Sequence, residues 1–470
     1  MLDIDLFRKN PDVVRESEKK RFKDVSNVEK VIEYDKKWRD VLKHVESLKH
    51  KRNVVSREIA EIKKHGKSAK EKIEEMKKIN MEIEANDRKA GECLSQRDAL
   101  RYRIGNILHK SVVVGQGEES NEFIRAWGKP RVVLKDMEGF KRDTRGRLDF
   151  ETLHFEPKSH TELIESLDIA DTEKAAKLSG ARFYYLKNEL VILNLALIRF
   201  AFDFLIKKGF VPMWTPFVLT RAAIAGAAEL SDFENQLYKI DKEELFLIAT
   251  AEQTLAAYHM GETFKESDLP KTYAGFSTNF RREAGSHGKD TKGIFRVHQF
   301  DKVEQFVFCM PEDSEEWFMK LIGNAEELFR TLEIPYRIIS VCSGEMNDNA
   351  SIKYDLEAWM PAQGKFREMV SCSNCTDYQP RKLGVKVMRK DGKSETIHTL
   401  NSTAIATERA ITAILENCQT KEGSVKIPKA LVKYTGFGEI KREKEKKGKN
   451  DPGRQKRDGK ARRIEGRRIA

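Results

Sequence analysis

Apolar residues recur every seven positions over two long stretches near the start of the chain. The first stretch, residues 28–65, is interrupted only by Arg52, and the second follows Gly66 and is interrupted by Asn86 and Arg97. Two heptad segments of similar length around a short glycine turn predict an antiparallel helical hairpin, a two-stranded coiled coil folded back on itself. The predicted seam consists of Val31, Tyr34, Trp38, Val41, Val45, Leu48, Val55, Ile59 and Ile62, followed by Met76, Ile79, Ile83, Ala90, Cys93, Leu100, Ile104 and Ile107.

The faces of these two helices outside the seam are dense in lysine, arginine and glutamate. A narrow apolar stripe is typical of a rod in solvent, whereas helices packed onto a globular core would carry a broader one. We therefore expect the hairpin, residues 28–108, to project as an arm whose helices are roughly 50–60 Å long at about 1.5 Å per residue. Its positive charges suit an elongated polyanion.

After residue 120 the pattern changes to short strand-like runs mixed with helical segments. The strands are predicted in hairpins without regular βαβ alternation, which indicates an antiparallel sheet with helices on it, an α+β domain. The strand-like runs include FYYLKN (183–188), LFLIAT (245–250) and QFVFCM (305–310), and helices are predicted at 190–207, 313–331 and 404–418.

Charge is unevenly distributed along the 470 residues. The net charge is +12, and residues 441–470 alone hold fourteen Lys/Arg against five Asp/Glu. Such a basic tail indicates binding to nucleic acid or another polyanion, and a solubilising disordered end is the alternative.

Cysteine usage and hydropathy bear on the compartment. Six cysteines are too few and too scattered for a disulfide scaffold, which favours a reducing, cytoplasmic environment. Cys372 and Cys375 form a lone CxxC without a second pair, so no zinc is expected. The most apolar run, 190–206, contains Asn194, Arg199 and Asp203, so no membrane span is expected.

The stretch FRREAGSHGKDTKGIFRVHQFDKVE, residues 280–304, carries an unusual number of charges. If 276–283 and 294–304 pair as antiparallel strands, Arg281 and Glu283 face the same ligand as one face of the second strand, and Arg282 points away. That face carries Arg296, His298, Phe300, Lys302 and Glu304.

A glycine-punctuated loop joins the two predicted strands, and neither GxGxxG nor GxxxxGK[ST] occurs in the chain. A platform of this kind can hold a triphosphate and a planar base, because arginines clamp phosphates and an aromatic ring stacks on a base. The alternative interpretation is a ladder of cross-strand salt bridges on a solvated sheet.

Residues 280–304 resemble motif 2 of the class II aminoacyl-tRNA synthetases, in the form found in the seryl-tRNA synthetase family. Four further blocks agree in order, and Pro216 and Arg409 match the motif 1 proline and the motif 3 arginine. The NST at 401–403 and the extension after motif 3 are similar to the eukaryotic cytosolic branch. The blocks are KKGFVPMWTPFVL (207–219), IATAEQTL (248–255), KYDLEAWMPAQGKFREMVSCSNCTDYQPRK (353–382) and LNSTAIATERAITAILENCQ (400–419).

The resemblance implies an aminoacyl-tRNA ligase that activates L-serine with ATP to seryl-adenylate and transfers serine to the 3′ end of tRNA(Ser). Charging of tRNA(Sec) stays open. The implied protein is a cytoplasmic homodimer whose arm reaches the tRNA bound to the other subunit. The corresponding domains are a tRNA-binding domain (1–120), a class II catalytic domain (121–440) and a basic, disordered tail (441–470).

The resemblance also implies roles for individual residues. Arg281 and Arg409 are the implied catalytic residues. Arg281 would contact the serine carboxylate and the α-phosphate, Arg409 the γ-phosphate, and Phe300 the adenine ring. Glu368 and Ser371 would hold Mg²⁺ together with ATP. The implied ATP site comprises Arg281, Arg282, Glu283, Arg296, Val297, Phe300, Glu368, Met369, Val370, Ser371 and Arg409.

Serine selection imposes a further requirement, because a pocket that only excludes large side chains still admits glycine and alanine. Rejecting them requires polar groups that are left unpaired when the substrate hydroxyl is absent. Glu304 is the main candidate, since a carboxylate accepts from both an ammonium and a hydroxyl, but the division of contacts stays open. The implied serine pocket comprises Thr250, Ala251, Glu252, Arg281, Glu304, Asn401 and Thr403.

Two rival functions remain. A ligase that loads a small amino acid onto a carrier protein would lack the tRNA arm, which the heptads at 28–108 predict to be present. A non-catalytic paralogue would have lost residues among Arg281, Glu283, Glu368 and Arg409, and all four are present.

Overall fold

A computed structural model of the chain describes residues 1–228, 236–283 and 292–442. Its helices are α1 Ile4–Lys9, α2 Pro11–Lys20, α3 Ser26–Lys64, α4 Lys70–Arg101, α5 Met137–Asp143, α6 His160–Leu167, α7 Thr172–Ser179, α8 Glu189–Lys207, α9 Arg221–Ala227, α10 Ala251–Ala257, α11 Ser314–Thr331, α12 Tyr378–Leu383, α13 Thr407–Cys418 and α14 Lys429–Thr435. The basic tail, from residue 443 onwards, lies outside the described residues.

Helices α3 and α4 form the predicted hairpin. They contain 39 and 32 residues, which correspond to lengths of about 58 and 48 Å. Their seam buries apolar side chains at the heptad positions, among them Val45, Leu48, Val55, Ile79 and Ile83.

The second helix of the hairpin ends earlier than the heptad pattern indicated. Helix α4 ends at Arg101, so Ile104 and Ile107 do not belong to the seam. Ile104 is instead buried with residues of α1, α2 and the first turns of α3. The chain turns here towards the sheet domain, where the Asn106 backbone N–H donates to the Asp348 carbonyl at 2.8 Å.

Arg97, an interruption of the heptad pattern, is part of a buried ionic cluster at the root of the arm. Its guanidinium donates to the Asp35 carboxylate at 3.1 Å. Arg8 of α1 binds the same carboxylate through two hydrogen bonds of 2.9 Å, and Arg39 adds a fourth hydrogen bond at 2.9 Å. The cluster therefore ties α1, α3 and α4 together at the point where the arm leaves the body.

An eight-stranded sheet forms the centre of the second domain, as the α+β prediction required. Its order is β1-β12-β13-β14-β17-β11-β10-β6, and every neighbouring pair is antiparallel except β10 and β6. Its strands are β1 Glu122–Trp127, β6 Val211–Trp214, β10 Lys271–Phe280, β11 Gln299–Cys309, β12 Tyr336–Ser340, β13 Ile352–Met360, β14 Lys365–Thr376 and β17 His398–Ala406.

Helices α8, α11 and α13 pack against the sheet and bury the main hydrophobic core with it. The shorter strands lie outside this sheet in small ladders. They are β2 Arg131–Val132, β3 Glu151–Thr152, β4 Ala170–Asp171, β5 Tyr185–Leu186, β7 Val218–Thr220, β8 Leu245–Leu247, β9 Thr263–Lys265, β15 Lys386–Met388, β16 Ser394–Thr396, β18 Val425–Lys426 and β19 Glu439–Ile440.

The predicted elements differ from the structure mainly at their ends. The helix expected from 404 begins at Thr407, because 404–406 still pair in β17. Of the runs 183–188 and 245–250, only Tyr185–Leu186 and Leu245–Leu247 form strands, and helices α8 and α10 begin a few residues later, at Glu189 and Ala251. Within the described part of the chain, no helix is long and apolar enough to cross a membrane.

Candidate active site

The exposed face of the sheet, between the ends of β10, β11, β14 and β17, carries a cavity of about 460 Å³. A second cavity of about 510 Å³ continues it and shares the side chains of Phe295, Arg296, Lys353, Glu368 and Arg409. The first cavity is lined by Gln236, Thr250, Glu252, Arg281, Glu283, Phe295, Arg296, Val297, Phe300, Lys302, Glu304, Asn347, Lys353, Glu368, Met369, Ser371, Ser373, Asn401, Thr403, Ala406, Glu408 and Arg409.

The structure brings together most residues that the motifs single out. Three of them do not line the cavity. Arg282 is exposed and lies outside the lining, and its backbone N–H donates to the Gln236 carbonyl at 2.8 Å. Val370 and Ala251 are fully buried, and their side chains pack into two hydrophobic clusters. Strand β14 is irregular here, because a register shift in its ladder with β13 leaves Met369 without a paired residue, and Glu368, Met369 and Ser371 line the cavity whereas Val370 does not. The roles of Arg282, Val370 and Ala251 in ligand binding stay predictions.

The prediction that 276–283 and 294–304 are paired strands is wrong at the loop end. The ladder between β10 and β11 stops at the pair of Phe280 and Gln299. Beyond it, Arg281 and His298 still exchange contacts of 2.9 and 2.8 Å, but Glu283 has a φ of 50° that is incompatible with an extended strand. The expected glycine-rich loop carries Gly285, Gly288 and Gly293, and its residues 284–291 lie outside the described residues, whereas Gly293 is described and has a φ of 79°.

One end of the cavity combines guanidinium groups with aromatic rings. The Arg281 guanidinium lies 5.1 Å from the centre of the Phe300 ring and donates to the Ala249 carbonyl at 3.2 Å. Arg296 is paired with Glu283. Burial, together with the charge of Arg409, lowers the pKa of Arg281. Buried guanidinium groups of this kind are suited to binding phosphate oxygens, because the negative phosphate replaces the stabilisation by water that each guanidinium has lost.

Glu368 and Arg409 form the opposite wall of this end. Arg409 donates to the side chain and the carbonyl of Glu368, both at 3.0 Å. Burial alone would raise the pKa of Glu368, but Arg409 and Lys353 outweigh it and the pKa is lowered, so the carboxylate is ionised at neutral pH. Asp355 lies close by, with one oxygen 3.4 Å from Lys353 and the other, Oδ1, buried without a partner among the described residues.

The other end of the cavity is a small polar pocket between helix α10 and strands β11 and β17. Thr250 caps α10, its hydroxyl accepting the Glu252 backbone N–H at 3.2 Å. The same hydroxyl accepts from Lys302 Nζ at 2.6 Å and lies 3.5 Å from Glu304. Asn401 and Thr403 line the pocket from β17.

The two carboxylates of this pocket have raised pKa values. Burial, followed by the nearby charge of Glu304, raises the pKa of Glu252 to about 7. Burial also raises the pKa of Glu304, against the opposing effect of Lys302. Two carboxylates in one buried pocket suit a ligand that carries an ammonium group.

Several lining residues were missed as site residues from the sequence, among them Phe295, Lys302, Lys353 and Glu408. Lys302 could have been found, because it lies two positions before Glu304 in the same strand and thus on the same face. No local signal marks Glu408, which is buried where its carboxylate accepts the Asp301 backbone N–H at 3.0 Å and the Tyr184 hydroxyl.

Comparison with known proteins agrees with the fold and the cavity. Residues 235–418 match the family described as the tRNA synthetase class II core domain (G, H, P, S and T). Residues 1–108 match the seryl-tRNA synthetase N-terminal domain. The fold and the cavity are therefore those of a class II aminoacyl-tRNA synthetase.

The relatives narrow the assignment. The chain is 50% identical over 443 residues to the serine–tRNA ligase of Pyrococcus abyssi, covering 94% of this chain and 97% of the relative. The crystal structure of seryl-tRNA synthetase from Pyrococcus horikoshii complexed with ATP has a TM-score of 0.91 at 49% identity, covering 94% of this chain and 100% of that one. The chain belongs to the seryl-tRNA synthetase family.

The eukaryotic cytosolic type that the motif wording indicated is not supported. The cytoplasmic serine–tRNA ligase of Naegleria fowleri in complex with AMP has a TM-score of 0.80 at 40% identity and covers 94% of this chain and 99% of that one. The relatives from Pyrococcus are more similar to this chain, at 49 to 50% identity.

Proposed function

We propose that the cavity activates L-serine with ATP and that the seryl group is then transferred to the 3′ end of tRNA(Ser). The observation that carries this proposal is the division of one cavity into two ends. An end with Arg281, Arg296 and Phe300 suits a nucleotide, and an end with Glu252 and Glu304 suits an amino acid. The family membership of the chain supports the same reaction.

In the first step, a serine carboxylate oxygen attacks the α-phosphorus of ATP. A bond forms between this carboxylate oxygen and the α-phosphorus, while the bond between the α-phosphorus and the bridging oxygen breaks and diphosphate leaves. Serine is already ionised at its carboxylate, so the reaction needs no general base, and the protein contributes orientation and charge stabilisation. In the second step, the tRNA 3′-terminal hydroxyl attacks the carbonyl carbon and AMP leaves.

Arg281 lies between the amino-acid end and the nucleotide end of the cavity and is positioned to contact both substrates of the first step. Its guanidinium contacts the Ala249 carbonyl beside the amino-acid pocket and also lies against Phe300. From there it neutralises the serine carboxylate and the α-phosphate together, and this charge stabilisation is greatest when both negative charges approach one phosphorus atom.

The remaining nucleotide contacts are those that the resemblance to the family implies. Phe300 stacks on adenine, Glu283 accepts from its exocyclic amine, and Arg296 and Arg409 bind the phosphates. Met369 and Val297 contribute apolar lining beside the base. The pairing of Arg409 with Glu368 holds the guanidinium in the cavity before ATP arrives.

Mg²⁺ is expected to accompany ATP, and the donor set fits this ion. Glu368 is ionised, Ser371 lines the same wall, and Asp355 has a buried oxygen without a partner among the described residues. These are oxygen donors, and Mg²⁺ takes most of its remaining ligands from phosphates and water. When bound, the ion neutralises charge on the phosphates; Glu368 and Ser371 would hold it.

The structure also favours a homodimer. Along α8 and β6, apolar side chains are exposed on one surface that contains the residues similar to motif 1. Trp214 is 72% exposed and Leu195 is 57% exposed. Burying these side chains against a second copy would remove them from water, which favours association, and most oligomers of soluble proteins are symmetric assemblies of one chain. The surface consists of Val191, Ile192, Leu195, Ile206, Val211 and Trp214.

For tRNA, we propose that the arm binds the nucleic acid through shape and backbone contacts. The similarity of residues 1–108 to the seryl-tRNA synthetase N-terminal domain supports this role of the arm. We also propose that the domains meet at residues 120 and 440 and that the protein is cytoplasmic. The basic tail gives a further site for a polyanion.

Pyrophosphate exchange with each amino acid tests the first step. Serine-dependent exchange is expected, and its absence would contradict the proposal. Charging of tRNA(Ser) and tRNA(Sec) transcripts, compared with a carrier protein as acceptor, tests the second step. Transfer to the carrier protein but not to tRNA would favour the rival ligase.

A further inference from the structure

A buried lysine occupies the amino-acid end of the cavity. Lys302 is 7% exposed, and its ammonium group is paired with the Glu304 carboxylate and donates to the Thr250 hydroxyl at 2.6 Å. Lys302 and Glu304 are two positions apart in strand β11 and therefore lie on the same face. Both line the cavity.

We propose that Lys302 is a positioning residue for serine selection, which orients Glu304 so that one carboxylate oxygen is reserved for the substrate hydroxyl. This inference rests on the proposed serine activation. The nearest contacts of Lys302 and of Thr250 with Glu304 both fall on Oε2. The carboxylate is thus held at one oxygen, and Oε1 is left to accept a hydrogen bond from a ligand.

Lys302 also determines which of the two carboxylates of the pocket binds the substrate ammonium and which binds the hydroxyl. Glu252 and Glu304 carry like charges in one buried pocket, which is costly unless a cation compensates. Lys302 compensates Glu304 directly, whereas Glu252 is bonded to the neutral Gln379 amide at 2.8 Å. The substrate ammonium therefore goes to Glu252, and Glu304 accepts from the hydroxyl.

This arrangement explains how alanine is rejected. A buried carboxylate fixed by Lys302 cannot turn to find another donor when the hydroxyl is absent, so its unpaired oxygen carries the full desolvation cost. Without Lys302, the carboxylate is free to rotate towards the ammonium, and the difference between serine and alanine becomes smaller.

The test compares the selectivity of Lys302→Met, Lys302→Gln and Glu304→Gln with that of the unmodified chain. The measured quantity is kcat/KM in pyrophosphate exchange with serine, alanine and glycine. For Lys302→Met we expect the serine-to-alanine ratio to fall by about tenfold or more, the size of one charge-assisted hydrogen bond. The loss should lie mainly in KM for serine, with KM for ATP nearly unchanged.

Lys353→Met is the matched control, because Lys353 is another buried lysine of the cavity but pairs with Asp355 at the nucleotide end. It should change KM for ATP and leave the serine-to-alanine ratio within about twofold. A similar fall of the ratio in this variant would overturn the assignment to Lys302.

The double variant Lys302→Met/Glu304→Gln decides whether Lys302 acts through Glu304. Its selectivity should match that of Glu304→Gln alone, because coupled residues give non-additive effects. Additive losses, or equal losses with serine, alanine and glycine, would overturn the inference. Lys302→Gln retains a donor and gives the same comparison if Lys302→Met does not fold. If the unmodified chain shows no serine-dependent exchange, the proposed function itself fails.

Discussion

Glu252 is a carboxylate that changes its charge close to neutral pH. Burial and the neighbouring Glu304 raise its pKa to about 7. Above that pH the group is ionised and can accept the serine ammonium, and below it the group is protonated and loses this attraction. A step in the pH dependence of serine activation near pH 7 is therefore expected from this residue.

We predict that kcat/KM for serine in pyrophosphate exchange falls as the pH decreases from 8 to 6. In Glu252→Gln, the step near pH 7 should disappear, and kcat/KM above it should be lower by about 10- to 100-fold, as for the loss of one hydrogen bond to a charged group. KM for ATP is the internal control. A Glu252→Gln variant that retains the same pH step would contradict the assignment.

At the scale of the element, the root of the helical arm depends on one buried anion. The Asp35 side chain is 2% exposed and is paired with Arg8 and Arg97. Replacing it with asparagine would remove the negative charge that these guanidinium groups share and leave them only their contacts with Asp5 and Asp98, whereas the shape of the side chain hardly changes.

We predict that Asp35→Asn lowers the free energy of unfolding of the N-terminal region by about 3 kcal/mol, as when one partner of a buried ion pair is removed. Asp40→Asn is the matched control on the same helix, because Asp40 is exposed. It should change stability by less than about 0.5 kcal/mol. Urea unfolding followed through the helical circular-dichroism signal measures both, and equal midpoints would contradict the prediction.

The same cluster shows where the arm can be shortened. Residues 46–86 lie beyond the contacts of Asp35 with Arg97, so their replacement by a short Gly-Ser turn leaves the root intact. We predict that serine-dependent pyrophosphate exchange is retained within about twofold and that charging of tRNA(Ser) is lost, because only the second reaction needs the polyanion-binding arm. Equal loss of both activities would contradict a separate tRNA-binding role.

At the scale of the whole molecule, the proposed homodimer has the exposed apolar surface on α8 and β6 at its interface. We predict that Leu195→Asp converts the dimer into monomers, because it places a charge in the centre of the proposed interface. Leu134→Asp is the matched control, since Leu134 is 71% exposed and lies outside that surface. Light scattering after size-exclusion chromatography distinguishes the two, and a dimeric Leu195→Asp would contradict the proposed interface.

Local patterns determined much of this protein from the sequence alone. The heptads predicted the helical arm, and the period-two alternation of 299–304 placed Phe300 and Glu304 on one face. Both patterns repeat over distances of a few residues, so they are readable without knowing the fold. The ordered motifs carried the family assignment.

Only the tertiary structure decided which partners the buried charges have. Arg97 interrupts the heptads but finds Asp35, which is 62 residues away in the chain. Lys302 finds Thr250, the capping residue of α10, which is 52 residues away in the chain. The paired strands were expected to reach Glu283, yet its left-handed φ ends them at Phe280. Burial and distant contacts set these outcomes, because a charge can enter a protein interior only where another part of the chain compensates it.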